Sequence, residues 1–229
     1  MMKTLNNFKV FLVFVVEKHK ICFVRERIIK SALSLFWRYG IKSVTMDDIA
    51  HDLGISKRTI YQHFPDKEAI LVLVIEQELT SQKCEMEKLG EAAPNPIDEM
   101  LRASEQIRIC MVNINPVFLY DLKKYYPKAW NLFAVYKNDF ILRGIRENLL
   151  RGKHTGLYRD DIDVNILSIL RIEQIELAFD PTIFPPDKFN MTDLQLEFVQ
   201  HFLRGVLSEK GHQYYNTIQN KSVIESNIP

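Results

Sequence analysis

Glycine and proline are scarce, eight and nine in a chain of 229 residues. Glycine stands near half its usual ~7%, which argues against Gly-rich nucleotide-binding α/β folds and against turn-rich β sandwiches. Cysteine is scarcer still. Cys22, Cys84 and Cys110 are odd in number and far apart, so they form no disulfide framework and no metal-ligand pattern, and a reduced, cytoplasmic protein is the plain reading. A charge of one sign is missing too. Thirty Lys+Arg against 29 Asp+Glu leave +1, so no global charge points to nucleic acid or membrane, and any basic surface must be local. Catalytic signatures are also lacking: there is no HExxH, P-loop, GxSxG elbow or Cys/His signature, so no enzyme, metal or cofactor is expected.

Long hydrophobic runs are absent as well. Val10–Val16 is a stretch of seven apolar residues behind Lys3 and Lys9, far short of the ~20 that a membrane-spanning helix needs. It ends in Glu17-Lys18-His19-Lys20 with no small-residue cleavage site, unlike a signal peptide. Residues 1–24 are read as an N-terminal extension of open role, either an extra helix or strand on the body or a segment of little functional weight.

What the chain does have is helical periodicity. With 47% hydrophobic and 26% charged residues it is an ordinary globular sequence of one or two domains. From Arg25, Ile28, Ala32, Leu35, Phe36 and Tyr39 share one helical face, and Gly40 follows where a C-cap needs positive φ. Thr45 is an N-cap that Asp48 can answer in an acidic capping box. The short helix so opened carries Ile49, Ala50 and Leu53 inward, Gly54 ends it, and Ser56 caps a third helix that must stop at Phe64 before Pro65. Ala50, Gly54 and Ile60 stand at helix-turn-helix intervals, a spacing shared by any αα corner. The residues left outside separate the two readings. Lys57, Arg58, Thr59, Tyr61, Gln62 and His63 offer donors, hydroxyls and an aromatic edge with no acid among them, a set suited to base edges and phosphates. The helix N-termini after Thr45, Ser56 and Asp66 add free N–H groups.

Residues 25–71 resemble the head of a TetR-family (tetracycline-repressor-like) regulator. The resemblance is carried by Ile28-Ile29 through Leu35-Phe36-x-x-Tyr39-Gly40, then by Val44-Thr45-Met46-Asp47-Asp48-Ile49-Ala50-x-x-Leu53-Gly54-Ile55-Ser56-Lys57, and by Thr59-Ile60-Tyr61-x-x-Phe64-x-x-Lys67-Glu68. It implies an all-α homodimer with a three-helix DNA-binding head and a C-terminal helical regulatory and dimerisation bundle, most often a repressor released by a small molecule. By match to the family motif, Thr45, Tyr61, His63 and Lys67 hold phosphates, while Lys57, Arg58, Thr59 and Gln62 face base edges; Ser56 caps the recognition helix within the same surface. The chain departs from many members at Arg58, where they carry a small residue, and at its apolar N-terminal run, where they carry a polar arm; Lys18 and Lys20 are left as candidate backbone contacts.

Residues 72–215 read as a helical sensing and dimerisation domain and 216–229 as a flexible tail, with Gly211 ending the last helix. The two last long helices are candidates for an isologous dimer interface, or they simply complete the monomer core. Tyr120, Tyr126, Trp130 and Phe133, with Arg108 and Met111 on the preceding helix, are candidates for a ligand pocket, although an aromatic stripe at helical spacing also describes plain core. The expected function is thus a cytoplasmic, homodimeric transcriptional regulator that binds an inverted-repeat operator in double-stranded DNA. The alternatives are a helical protein-interaction module, or a DNA-binding regulator controlled by a protein partner instead of a small molecule.

Overall fold

The computed structural model describes residues 23–112, 114–115 and 117–226, with side-chain surroundings as far as residue 219. The apolar run Val10–Val16, Lys18, Lys20 and Cys22 lie outside the described residues. The elements are α1 (residues 23–39), α2 (Met46–Leu53), α3 (Lys57–Tyr61), α4 (Lys67–Glu91), α5 (Pro96–Met111), α6 (Phe118–Tyr125), α7 (Pro127–Tyr136), α8 (Leu142–His154), α9 (Val164–Leu177), α10 (Met191–Val206) and α11 (Glu209–Ser226). A π-helical turn, Lys137–Ile141, joins α7 to α8. No strand occurs among the described residues, and none of their helices is long and apolar enough to cross a membrane.

Two cores organise the chain. The first gathers Ile28, Ala32 and Phe36 of α1, Ile49 and Ala50 of α2, Ile60, Phe64, and Ile70, Leu71, Val74 and Ile75 of α4. Phe118 and Leu122 of α6 and Ala129 of α7 enter the same cluster. The head expected over residues 25–71 is therefore not packed on its own: α4 runs through residue 71, and α6 and α7 close the head from below. The second core joins Ile97 and Met100 of α5, Ile145 and Leu149 of α8, Ile172 of α9, Val199, Phe202, Leu203 and Val206 of α10, and Tyr215 of α11. Gly152 lets α8 approach the Tyr158 ring; a Cβ there would lie 1.9 Å from Tyr158 Cδ2.

The C-terminus corrects the sequence reading. The helix that was to end at Gly211 stops at Val206, and α11 begins at Glu209 and passes through both Gly211 and Asn216, where a loose tail was expected. Gly211 is there for contact rather than termination: a Cβ on it would stand 2.0 Å from the Leu157 carbonyl oxygen. Its N–H donates to the Ser208 hydroxyl, which caps the new helix. Tyr215 is buried in the second core, and the Tyr214 hydroxyl donates to Asp98 at 2.6 Å. Tyr39, read as inward, is half exposed, with the Arg38 guanidinium 5.2 Å above its ring.

Candidate nucleic-acid interface and sensing cleft

Local signals set the geometry of the head. Thr45 and Asp48 form the reciprocal capping box: the Asp48 N–H donates to the Thr45 hydroxyl at 3.2 Å, and the Thr45 N–H to Asp48 Oδ2 at 2.8 Å. The Thr45 hydroxyl, which donates to Asp48 Oδ2 at 2.7 Å, and after it the Thr45 N–H hold the Asp48 carboxyl below its ordinary range. Gly54 closes α2 at φ 64°, ψ 31°, a left-handed turn that a Cβ would strain. Ser56 then caps α3, accepting from the Thr59 N–H at 3.1 Å, with the two hydroxyls 2.8 Å apart. Only Ile60 of α3 is buried, and Phe64 follows it into the core. Ser56, Lys57, Arg58, Tyr61 and Gln62 are left exposed beside the half-buried Thr59 and His63, and Thr45 is exposed as well.

Two of these cations already have partners. Lys57 Nζ donates to Asp47 Oδ2 at 2.7 Å, which ties the start of α3 to the first turn of α2 and raises the lysine above its usual range. Both side chains are exposed, and exposed ion pairs are weak and screened, so a phosphate can replace the aspartate at little cost. Lys67 differs. Its ammonium donates to the carbonyls of Ile41 at 2.8 Å and Val44 at 2.7 Å, with Lys42 O at 3.5 Å. It fastens the loop between α1 and α2 instead of extending outward.

The same loop is held from the other side by α6. Asp121, buried among the head residues, accepts the Lys42 N–H on Oδ2 at 3.0 Å. Asn115, just before α6, donates its own N–H to Trp37 O at 2.6 Å. Gly40 turns at φ 81°, and a Cβ there would lie 3.2 Å from Val117. Phe118, Asp121 and Leu122 thus form the head-facing side of α6.

The opposite side of α6 lines a cleft of about 350 Å³ with Leu119, Tyr120 and Lys123. Trp130 and Phe133 of α7 supply its aromatic wall, their rings 5.3 Å apart. Glu173, Gln174 and Glu176 of α9 supply its polar wall. Of the pocket candidates read from the sequence, Tyr120, Trp130 and Phe133 come together here, and Arg108, Met111 and Tyr126 do not line the cleft. Arg108 spends its fork on Glu105 one turn earlier in α5. Tyr126 packs on the head core with Lys67 Nζ 5.6 Å from its ring centre.

Sequence reasoning missed the α9 half of the cleft. Glu176 accepts from Lys123 at 2.6 Å and from Lys137 at 2.5 Å, and Glu173 accepts from Lys137 at 3.1 Å. Burial disfavours the charge on Glu176, but the two lysines outweigh it and hold the carboxyl below its ordinary range. Burial works against Lys137 too, and its bonds to Glu176 and Glu173 lift it above the usual lysine value. Lys137 opens the π-helical turn, a feature frequent at functional sites. The available signal was the pair of acids on an otherwise Ile- and Leu-rich helix.

The model of the family described as bacterial regulatory proteins, tetR family, matches residues 28–74. The uncharacterized HTH-type transcriptional regulator YerO of Bacillus subtilis (strain 168) is 37% identical over 79 residues, 34% of this chain and 27% of YerO. A second uncharacterized HTH-type transcriptional regulator of that strain, YvaF, is 24% identical over 188 residues, 81% of this chain and 96% of YvaF. The chain thus aligns with about a quarter of the one and nearly all of the other. Among solved structures, a chain from Saccharomonospora viridis described as a transcriptional regulator in complex with choline superimposes with a TM-score of 0.69 at 19% identity, over 82% of this chain and 100% of that one. A TetR-family transcriptional regulator from Agrobacterium tumefaciens gives 0.67 at 13% identity, over 80% and 97%. At such identities the likeness is one of fold.

Proposed function

Since the chain belongs to the TetR family of bacterial regulatory proteins, we propose that it is a cytoplasmic, homodimeric repressor that binds an inverted-repeat operator and is released by a small molecule. The observation that carries DNA binding is the outward side of α3. Arg58, Tyr61 and Gln62 stand there unburied on a capped helix whose only buried residue is Ile60. Arg58 and Gln62 suit guanine and adenine edges, Thr45, Tyr61 and His63 suit phosphates, and Lys57 reaches either once Asp47 lets go. Lys67 serves the interface indirectly, by holding the loop that precedes Thr45.

Dimerisation is supported by the outer face of α9. Ile166 and Ile169 are exposed there, Ile166 at 64%, and Leu196 is exposed on α10. An apolar face of this kind on two long helices suits an isologous four-helix interface. Effector release is supported by the position of α6, which touches the head loop through Asp121 and the cleft through Lys123. A ligand that displaces α6 shifts the loop, and with it Thr45 and α2. The choline held by the Saccharomonospora viridis relative is in keeping with a small-molecule effector here.

The test is selection of bound sequences from a random double-stranded DNA pool with the purified chain. An enriched inverted repeat, with half-sites on the order of 10 bp or somewhat more apart, is the expected result. Folded protein that enriches no sequence at physiological salt overturns the reading. Ile166→Glu should turn the dimer into a monomer in sedimentation and remove operator affinity.

A further inference from the structure

We infer that the cleft between α6, α7 and α9 takes an organic cation, a protonated amine with an apolar body, in the seat now filled by the ammonium of Lys123. The inference rests on the sensing role proposed above and adds the chemical class of the effector.

The seat can be read from its present occupant. Lys123 Nζ lies 5.2 Å from the centre of the Trp130 ring and 2.6 Å from Glu176 Oε1. A ring face and a carboxylate around one ammonium are the two components that recognise an organic cation, and the ring face counts for more the drier it is. The surrounding polar groups point the same way. Glu173, Glu176 and Asp180 line the cleft with Lys123, and Lys137 pairs with Glu173 and Glu176 from beside it. Gln174, also in the lining, has its Oε1 buried with no hydrogen-bond partner. That oxygen accepts and cannot donate, so it calls for a ligand with an N–H. An anionic ligand would meet three carboxylates against two lysines and leave that acceptor unfilled.

The two lysines of the cleft have different parts. Lys137 is only 14% exposed and bridges Glu173 and Glu176, so it is a fixed element of the wall. Lys123 is 60% exposed, so its ammonium can swing into water, while Glu176, 19% exposed, keeps its bond to Lys137. An arriving ammonium restores the contacts to Trp130 and Glu176, while its apolar body covers Leu119, Phe133 and Leu170. The volume, about 350 Å³, lies at the small end of ligand pockets, which fits a single-ring or short-chain amine. Displacement of Lys123 acts directly on α6, the helix that carries the Asp121 contact to the head.

The test is calorimetric titration of the full chain, without DNA, by three isosteric probes: 2-phenylethylammonium, 2-phenylethanol and phenylacetate. The ammonium should bind about tenfold or more tightly than the alcohol, and phenylacetate more weakly still. Lys123→Met, which removes the internal competitor from an exposed position, should tighten the ammonium several-fold, and Trp130→Leu should weaken it. Absence of binding by the ammonium at about 10 mM, equal or tighter binding of the alcohol or the acid, or weaker ammonium binding by Lys123→Met overturns the assignment. Because no operator is present, this outcome is independent of the regulatory reading. Should the ammonium bind as described and leave a selected operator complex intact, the site stands and the sensing role falls.

Discussion

Replacing Lys67 by Met separates two roles that one lysine can play at a helix-turn-helix. If the ammonium holds a phosphate, the variant folds normally and loses one ionic contact to DNA. The structure instead has it on the carbonyls of Ile41 and Val44 at 2.8 and 2.7 Å, with the bonds partly buried. Methionine keeps the aliphatic stem and removes the donors, so two carbonyls of a partly buried turn lose a charged partner. Hydrogen bonds of this kind are worth about 1.5–3 kcal/mol each; with water recovering part of the loss, a cost of about 2–4 kcal/mol is expected. In a chain of 229 residues each kcal/mol moves the unfolding midpoint by about 2–4 °C, so Lys67→Met should melt roughly 5–15 °C lower in a circular dichroism scan. The salt dependence of DNA affinity gives the complementary reading. Lys67→Met should leave the slope of log K against log[salt] unchanged in the folded fraction, whereas Lys57→Met should lower it by about one. A variant that melts with the parent protein and loses about one unit of slope would refute the fastening role.

Arg171 is 1% exposed; its Nη2 reaches Ser104 Oγ at 3.3 Å, its Nε and Nη1 have no partner, and burial pushes its pKa down to about 10. Arg171→Met should therefore stabilise the chain by about 1–2 kcal/mol, read as a higher urea midpoint, and a lower midpoint would contradict the reasoning. Gly152→Ala forces a Cβ to 1.9 Å from the Tyr158 ring and should cost about 3 kcal/mol or more; an alanine variant of parental stability would show that α8 has room to move. Glu176 is held below its ordinary value of 4.5, so its contribution is whole above that value and is lost as the pH falls through the lowered one. Acidification should thus loosen the seam between α6 and α9. Glu176→Gln should flatten that acid dependence, and an identical acid profile in the variant would remove Glu176 as its source.

Most of the head was legible in the sequence because its signals act over three or four residues. A hydroxyl at Thr45 with Asp48 behind it, a left-handed Gly54 and a capping Ser56 each satisfy or turn the backbone beside them, and all three adopt the expected geometry. Contacts between distant segments were not legible. Nothing near Lys67 in the chain reveals that carbonyls 23 and 26 residues earlier consume its donors. Tyr120, Trp130 and Phe133, crowded together in the sequence, do line one cleft. The α9 half was not legible, since acids on a helix read as a solvated face until the lysines of α6 and the π-helical turn stand against them. Gly211 misled for a related reason. A glycine near a helix end suggests a cap, but here the missing side chain admits the Leu157 carbonyl, and only the packed structure distinguishes the two uses.

On the proposed reading, the two ends of the molecule use one device. At the head, the Asp47 carboxylate occupies the Lys57 ammonium that a DNA phosphate would take. At the cleft, the Lys123 ammonium occupies the Trp130 and Glu176 seat that an amine would take. In each case the internal occupant is the exposed member of the arrangement, so its release costs little, and its presence spares the unliganded protein a stranded charge or an unfilled ring face. The two differ in what release moves. Asp47 stands in the first turn of a helix already fixed by the capping box, and its departure leaves α2 where it was. Lys123 stands on α6, whose other side holds Lys42 through Asp121, so its departure bears on the loop that sets the head. The charge exchange at DNA is thus local and the one at the cleft is coupled, as a regulator that reads a ligand and answers on DNA requires.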